Sequence, residues 1–306
     1  MTGLDEGLAP DARVGADASA AAEAEARRST GSDPVGRLLE LFGLDEVEAD
    51  VFVAPNPDRG FGDRVFGGQV AAQALRAAQA TVPSGQQAHS LHASFLLGGT
   101  PGPAITYEVD RLRDGRSFTT RRVEARQGEA RIFTLIASFH KDEPGADYQQ
   151  PIPDGVPAPE DSPTRMLFIP ERERPRLPFE LRELGAAEPD VHGWLPSTRR
   201  AWLRLVRRID DDPGLHQALL TYFSDLGAVY AAWAPLPEQP LDRIMGASLD
   251  HALWFHRPLR ADEWLLYDAC AVSNAGSRGL MRGTFHAADG TLVASVAQEA
   301  LLRTLR

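Results

Sequence analysis

Two periods alternate along this chain. Apolar residues fall at helical spacing in VGRLLELFGL from Val35, VFVAP from Val51 reads as a strand, and GGQVAAQALRAAQATV from Gly67 reads as an alanine-rich helix entered through two glycines. From His89 the period drops to two. The runs HSLHASFLL, AITYEVDRL, SFTTRRVEAR and ARIFTLIASF are strand-like and are separated by GGTPGP, RDG and QGE, which carry turn residues. One helix followed by an antiparallel meander is the predicted unit.

Beyond Glu143 prolines recur from Pro144 to Pro189, which excludes long helices and central strands and predicts a linker over residues 143–196, laid on the surface. The same order then returns. RAWLRLVRR reads as a strand, HQALLTYFSDLGAVYAAWAPL as one long apolar helix, and ASLDHALWFHRP, EWLLYDACAV, GLMRGTFHA and TLVASVAQEALLR as strands, the last two joined at Asp289-Gly290. HSLHASFLL corresponds to ASLDHALWF, AITYEVDRL to EWLLYDACA and TLIASFHK to TLVASVAQ, each about 160 residues apart, the mark of an internal repeat. The predicted class is α+β, with halves at 35–142 and 197–306 whose sheets join edge to edge and so remove exposed strand edges. Residues 1–34 lack aromatic residues and hold few large aliphatics, so they cannot bury enough surface to offset ordering entropy; a disordered acidic, alanine-rich tail is expected.

Composition narrows the class further. The chain has 306 residues, 43% of them hydrophobic, enough for a sizeable core, yet charged residues and glycines interrupt every apolar run, so no membrane span is expected. The N-terminus is acidic, without a basic or apolar stretch, which argues against a secretory signal and for a cytoplasmic protein. The single cysteine, Cys270, excludes an intramolecular disulfide, and its place in LLYDACAV predicts a small buried hydrophobe. A net charge of -11 disfavours nucleic acid as a partner. An anionic ligand would need a local cluster of arginines.

Among chemistry-bearing residues, His89, His92, His251 and His256 lie on strands rather than four apart on a helix, so they form no zincin-like metal pair. Asp250 and His251 are adjacent on a strand and point to opposite faces, which keeps them from acting on one substrate. GASLD lacks the last glycine of a nucleophile elbow, and the glycines of RGFGDRVFGG miss both the dinucleotide and the P-loop spacing. Read alone, Asp225 is a helix cap or a solvated acid, Ser248 a strand-end hydroxyl and Gln298 an outward-facing strand residue.

Taken together, RVFGGQVAAQAL, HSLHASFLL, RLRDGRSFTTRRVEA, ASLDHALWFHRP and DGTLVASVAQEALLR resemble, in this order and spacing, the acyl-CoA thioesterase II family over about residues 35–306. The resemblance implies a double hotdog, two tandem units of a helix wrapped by an antiparallel sheet that form one continuous sheet, assembled into a homo-oligomer, a dimer or tetramer. It also implies hydrolysis of medium- to long-chain fatty acyl-CoA by an activated water, with no metal or organic cofactor. On the family's motifs, YFSDLGAV supplies Asp225, ASLDH supplies Ser248 and VAQEA supplies Gln298 as the catalytic groups; Ala300 replaces a more usual glycine, and SNAGSRG a run richer in serine and alanine.

A thioester needs only an oriented water, oxyanion stabilisation and exclusion of competitors, so a carboxylate at Asp225 with Ser248 and Gln298 on the same water suffices. The developing negative charge would lie at backbone N-H groups near a helix end. Arg116 in DGRSF and Arg278 in GSRG, at comparable turns of the two halves, are the candidates for coenzyme A phosphates. In the first half Gly67 to Gln69 stand where Asp225 stands in the second, and His140 or Lys141 where Gln298 stands, which predicts one competent site per chain. The competing readings are a hotdog enoyl-CoA hydratase or dehydratase, which needs a histidine and an acid facing one pocket, and a non-catalytic acyl-CoA-binding module.

Overall fold

The computed structural model describes residues 33–57, 64–163, 177–184, 199–235 and 243–305. The tail expected over 1–34 lies outside these but for its last two residues, and those belong to the folded unit. Asp33 caps α1 (Pro34–Glu40), accepting from the Val35 N-H at 3.0 Å, and its carboxylate pairs with Arg207. The first half continues with β1 (Asp45–Glu48), β2 (Val51–Ala54), α2 (Gly67–Ala80), β3 (Gln86–Phe95), β4 (Ile105–Asp114), β5 (Phe118–Gln127) and β6 (Ala130–Lys141). Strand β1 is not foreseen by the pattern because all four of its side chains, DEVE, are exposed and it has no apolar face.

Residues 143–163 cross the surface to the second half. Gln149 donates to the Gly290 carbonyl and accepts from the Leu292 N-H, and the Trp202 indole donates to the Pro157 carbonyl at 2.9 Å. Strand β7 (Phe179–Glu183) lies within the proline-rich segment at the edge of the sheet, where neighbouring prolines cost no ladder bonds. Then come β8 (Arg199–Leu205), α3 (Pro213–Ser224), α4 (Ala228–Trp233), β9 (Ile244–Ser248), β10 (Asp250–Phe255), β11 (Leu265–Ala275), β12 (Arg278–Ala287) and β13 (Leu292–Thr304).

Among the described residues all thirteen strands form one sheet, in the order β1-β2-β4-β5-β6-β3-β10-β13-β12-β11-β8-β7, with β9 paired to β13. The halves join where β3 meets β10, antiparallel, with Ala93 opposite His251 and Leu91 opposite Leu253. That junction hides two edges; β1 and β7 remain the outer strands, so the expected removal of edges holds at the centre only. Helix α2 packs inside the curve of β2 to β6, and α4 inside β11 to β13. Small residues along α2, Ala71, Ala72, Ala74, Ala77 and Ala78, are fully or almost fully buried and let the sheet close around it. The buried Gln73 amide is satisfied: it accepts from the Tyr107 hydroxyl at 2.7 Å and donates to the Leu41 and Pro55 carbonyls.

The long apolar helix expected from His216 to Leu236 is two helices, broken at Asp225-Leu226-Gly227. Gly227 has φ 77°, a left-handed conformation, and a Cβ there would lie 2.8 Å from the Arg199 guanidinium carbon. Arg199, itself buried, donates to the Leu226 carbonyl, pairs with the buried Glu183 at 3.1 Å and lies over the Tyr267 ring. Removing one partner of such a pair leaves a buried charge uncompensated. Arg199→Met is therefore expected to lose about 3–5 kcal/mol in urea unfolding, and Arg199→Met with Glu183→Leu to regain most of it. A single variant as stable as the parent would mean that the pair does not hold the break.

Candidate active site

The helix break decides where Asp225 points. It is the C-cap of α3, 8% exposed, and its Oδ2 accepts from the Gly68 N-H at 2.8 Å, so a carboxylate of the second half sits on the N-terminus of the first half's helix. The positive end of α2 favours that charge. Both glycines of the GG pair are required by the closeness of this seam. A Cβ on Gly68 would lie 2.6 Å from the Tyr222 carbonyl oxygen, and one on Gly67 2.8 Å from Asp225 Oδ2 and from the Phe95 ring.

Ser248 ends β9, and Gln298 lies in β13 with no exposed surface. Their meeting depends on a bulge. Ser248 faces Ala300 of β13 while Ala252 faces Ala297, so the four steps from 248 to 252 match three from 300 to 297. One residue is extra on the β9-β10 side, which places Ser248 and His251 on the same face although they are three apart. The Gln298 Nε2 donates to Ser248 Oγ at 2.8 Å, and Ser248 Oγ donates to Asp225 Oδ1 at 3.4 Å. The structure thus brings together the three residues that the sequence singled out.

Burial dominates the electrostatics of Asp225 and pushes its carboxyl above the usual carboxylate range. His251, the Gln298 amide, the Gly68 N-H and the Ser248 hydroxyl pull it back only in part.

A cavity of about 300 Å³ opens beside this cluster at the seam between the halves. Gly67 and Ser248 line it on the polar side, and Val65, Val70, Phe95 and Ile132 on the apolar side. Arg64, exposed, is also in its wall. The sequence reading passed over Arg64, although it opens the RVFGG segment. Neither expected phosphate-binding arginine is among the residues lining the cavity. Arg116 lies exposed in the β4-β5 turn, whose neighbouring Arg113 carbonyl and the Thr81 carbonyl at the C-terminal end of α2 share the Arg121 guanidinium. That is the far end of α2 from Asp225, about 20 Å away at the helical rise. Arg278 is exposed in the β11-β12 turn and pairs with Glu299.

The histidines divide by face. His251 is buried, with Nδ1 2.5 Å from Gln298 Oε1 and Nε2 2.8 Å from Ser224 Oγ; it is the polar neighbour of the cluster that strand patterning did not identify. Asp250 is exposed and accepts from the Glu299 N-H, so the Asp250-His251 dyad is split as alternation requires. His89 and His256 bond Ser138 and Ser295, and His92 packs edge-on against Trp254. Cys270 is half-buried rather than buried, because it lies on the helix-free face of β11. In the first half the inward positions of β6 that answer to Gln298 are Leu135, Ala137 and Phe139, all apolar, whereas His140 stacks on Phe118 and Lys141 is exposed. The counterpart expected at His140 or Lys141 is thus corrected to the apolar positions.

A seam cavity beside a buried carboxylate, a hydroxyl and an amide, in one sheet wrapped around two helices, is the arrangement of a double-hotdog protein. Residues 55–140 match the family model described as acyl-CoA thioesterase N-terminal domain, and residues 181–301 match the one described as acyl-CoA thioesterase. Acyl-CoA thioesterase 2 of Haemophilus influenzae is 34% identical over 89% of this chain and 99% of its own. The crystal structure of an acyl-CoA thioesterase II from Mycobacterium marinum superposes with a TM-score of 0.75 at 35% identity, covering 87% of this chain and 97% of that one. A hotdog-fold protein of unknown function from Alicyclobacillus acidocaldarius, 18% identical and with a TM-score of 0.72 over 87% of this chain and 98% of its own, shares the fold. The chain belongs to the acyl-CoA thioesterase family, whose members are thioester hydrolases.

The raised carboxyl of Asp225 has a consequence for stability. A group whose pKa is higher folded than unfolded costs folding free energy once it ionises; the cost is absent below the unfolded pKa and complete above the folded one. Asp225→Asn removes it. The variant is expected to be more stable than the parent at neutral pH in denaturant unfolding, with the difference closing as the pH falls toward about 4. A difference independent of pH would show that ionised Asp225 carries no burial cost.

Proposed function

We propose that Asp225, Ser248 and Gln298 hold the water that cleaves the thioester of a medium- to long-chain fatty acyl-CoA, releasing the free acid and coenzyme A. The observation that carries this reading is the hydrogen-bonded convergence of the three groups behind Ser248, which itself lines the cavity. Asp225 takes a proton from the water as its oxygen bonds to the carbonyl carbon. The tetrahedral intermediate places its oxyanion at the N-terminus of α2, near Gly67, where the helix dipole favours negative charge. Collapse breaks the carbon-sulfur bond, and the thiolate leaves, the proton on Asp225 returning to it. A carboxyl held above its ordinary range is a stronger base than a solvated one, and this supports the assignment.

The apolar lining supports the chain-length reading, and Arg64 is the guanidinium suited to the coenzyme A phosphates at the cavity. We also infer a cytoplasmic homo-oligomer, dimer or tetramer. The lone cysteine suits a reducing compartment, and Ile136, Trp254 and Leu280, exposed on the helix-free face of the sheet, suit self-association.

Thiol release from acyl-CoA of four to eighteen carbons, followed with a chromogenic thiol reagent, is expected to be fastest for the longer chains and to fall about 100-fold or more in Asp225→Asn, with substrate still bound. Full activity in the variant would overturn the base. Since the first half offers only apolar residues opposite Gln298, a non-hydrolysable thioether analogue of acyl-CoA is expected to bind once per chain in calorimetry. Two equivalents would overturn the single site.

A further inference from the structure

We propose that His251 is a positioning residue for this hydrolysis: its Nδ1-H fixes the Gln298 amide with the nitrogen turned toward Ser248. The inference rests on the assignment of Gln298 to the water site and adds what makes that amide competent.

A glutamine amide can present either end, and the two are nearly equal in shape but opposite in hydrogen bonding. Here the nitrogen donates to Ser248 Oγ and the oxygen faces His251 Nδ1. That contact is a hydrogen bond only if Nδ1 carries the hydrogen. The ring is held at its other end too: Nε2 meets Ser224 Oγ at 2.8 Å, where the one hydroxyl hydrogen goes either to Nε2, leaving the hydrogen of a neutral ring on Nδ1, or to the Thr221 carbonyl 2.8 Å away, in which case Nε2 donates as well; the Tyr267 hydroxyl donates to the Ser224 carbonyl. His251, Gln298, Ser224 and Thr221 are at most 1% exposed, so no solvent competes for these bonds.

Rotating the amide by half a turn would send its oxygen to Ser248. The serine hydroxyl would then donate to Gln298 instead of Asp225, and the site would lose both an N-H toward the water and one donor to its base. His251 decides between the two arrangements, because a donor at Nδ1 accepts only the oxygen as its partner. The histidine and the glutamine also occur together in the half that carries Asp225. In the other half the inward positions of β3 and β6 at the same level are Leu91, Ala93, Leu135 and Ala137.

The test is steady-state hydrolysis of decanoyl-CoA by His251→Leu, His251→Asn, Gln298→Ala and the double variant Gln298→Ala/His251→Leu, each checked for folding by thermal unfolding. His251→Leu is expected to lower kcat about 10- to 100-fold with KM unchanged, and His251→Asn, whose side-chain N-H stands near the Nδ1 position, to recover most of that loss. In the Gln298→Ala background the leucine should cost nothing further. Losses that multiply in the double variant, or an asparagine variant as slow as the leucine one, would overturn the positioning role. Full turnover in Gln298→Ala would instead remove Gln298 from the site, a different failure. If His251→Leu does not fold, the nitrogen NMR spectrum of labelled histidine in the unaltered protein still decides: hydrogen on Nδ1 is expected, and the Nε2-H tautomer alone would sink the proposal.

Discussion

The hydrogen bond from the Gly68 N-H to the buried carboxylate of Asp225 is the constraint to which much of the surrounding structure answers. A carboxylate removed from water needs compensation close by. This one finds it across the seam, on a helix end that belongs to the other half of the chain. For the two to meet, α2 must begin with residues that lack a Cβ, α3 must stop at Ser224, and Gly227 must adopt a backbone that other residues resist. The Arg199-Glu183 pair buttresses that turn from behind.

The same bond explains why a chain of two similar halves has an unequal centre. Around Asp225 runs a polar thread of Ser248, Gln298, His251 and Ser224, through layers that are otherwise alanine, leucine and phenylalanine. Each member is bonded to the next, which keeps the burial cost tolerable without cancelling it at the carboxyl. Sites that need a reactive base commonly retain such a residual cost, because full neutralisation would also remove the reactivity.

Where side chains alternate cleanly the sequence is legible: β3 to β6, β11 to β13 and the alanine-rich α2 all fall where periodicity puts them. The internal repeat likewise foretells that two sheets join edge to edge, though not that β3 and β10 are the strands that meet. Legibility fails where geometry turns on one or two residues. A glycine inside the apolar run SDLGAVYAAW does not announce a helix break, since its cause is Arg199, which precedes it by 28 positions. The bulge that turns Ser248 inward has no compositional sign, and strand β1 has no apolar face to reveal it. Asp225, Ser248 and Gln298 were singled out only through family resemblance, because each alone is an ordinary polar residue. Arg116 and Arg278 were chosen by their turns; the first turn sits at the far end of the helix from the cavity, and Arg278, across Leu301 from the cavity-lining Ala247, is paired with Glu299 instead.

A continuous sheet with two outer strands is open to growth, since any edge can accept a further strand from another molecule. Here β1 offers Asp45, Glu46 and Glu48 on a four-residue edge, all exposed, and β7 is only five residues long with the partly exposed Glu180 and Arg182 among them. Two copies approaching through β1 would bring carboxylates against carboxylates. Short, charged margins of this kind oppose growth of the sheet by edge-to-edge pairing with another copy.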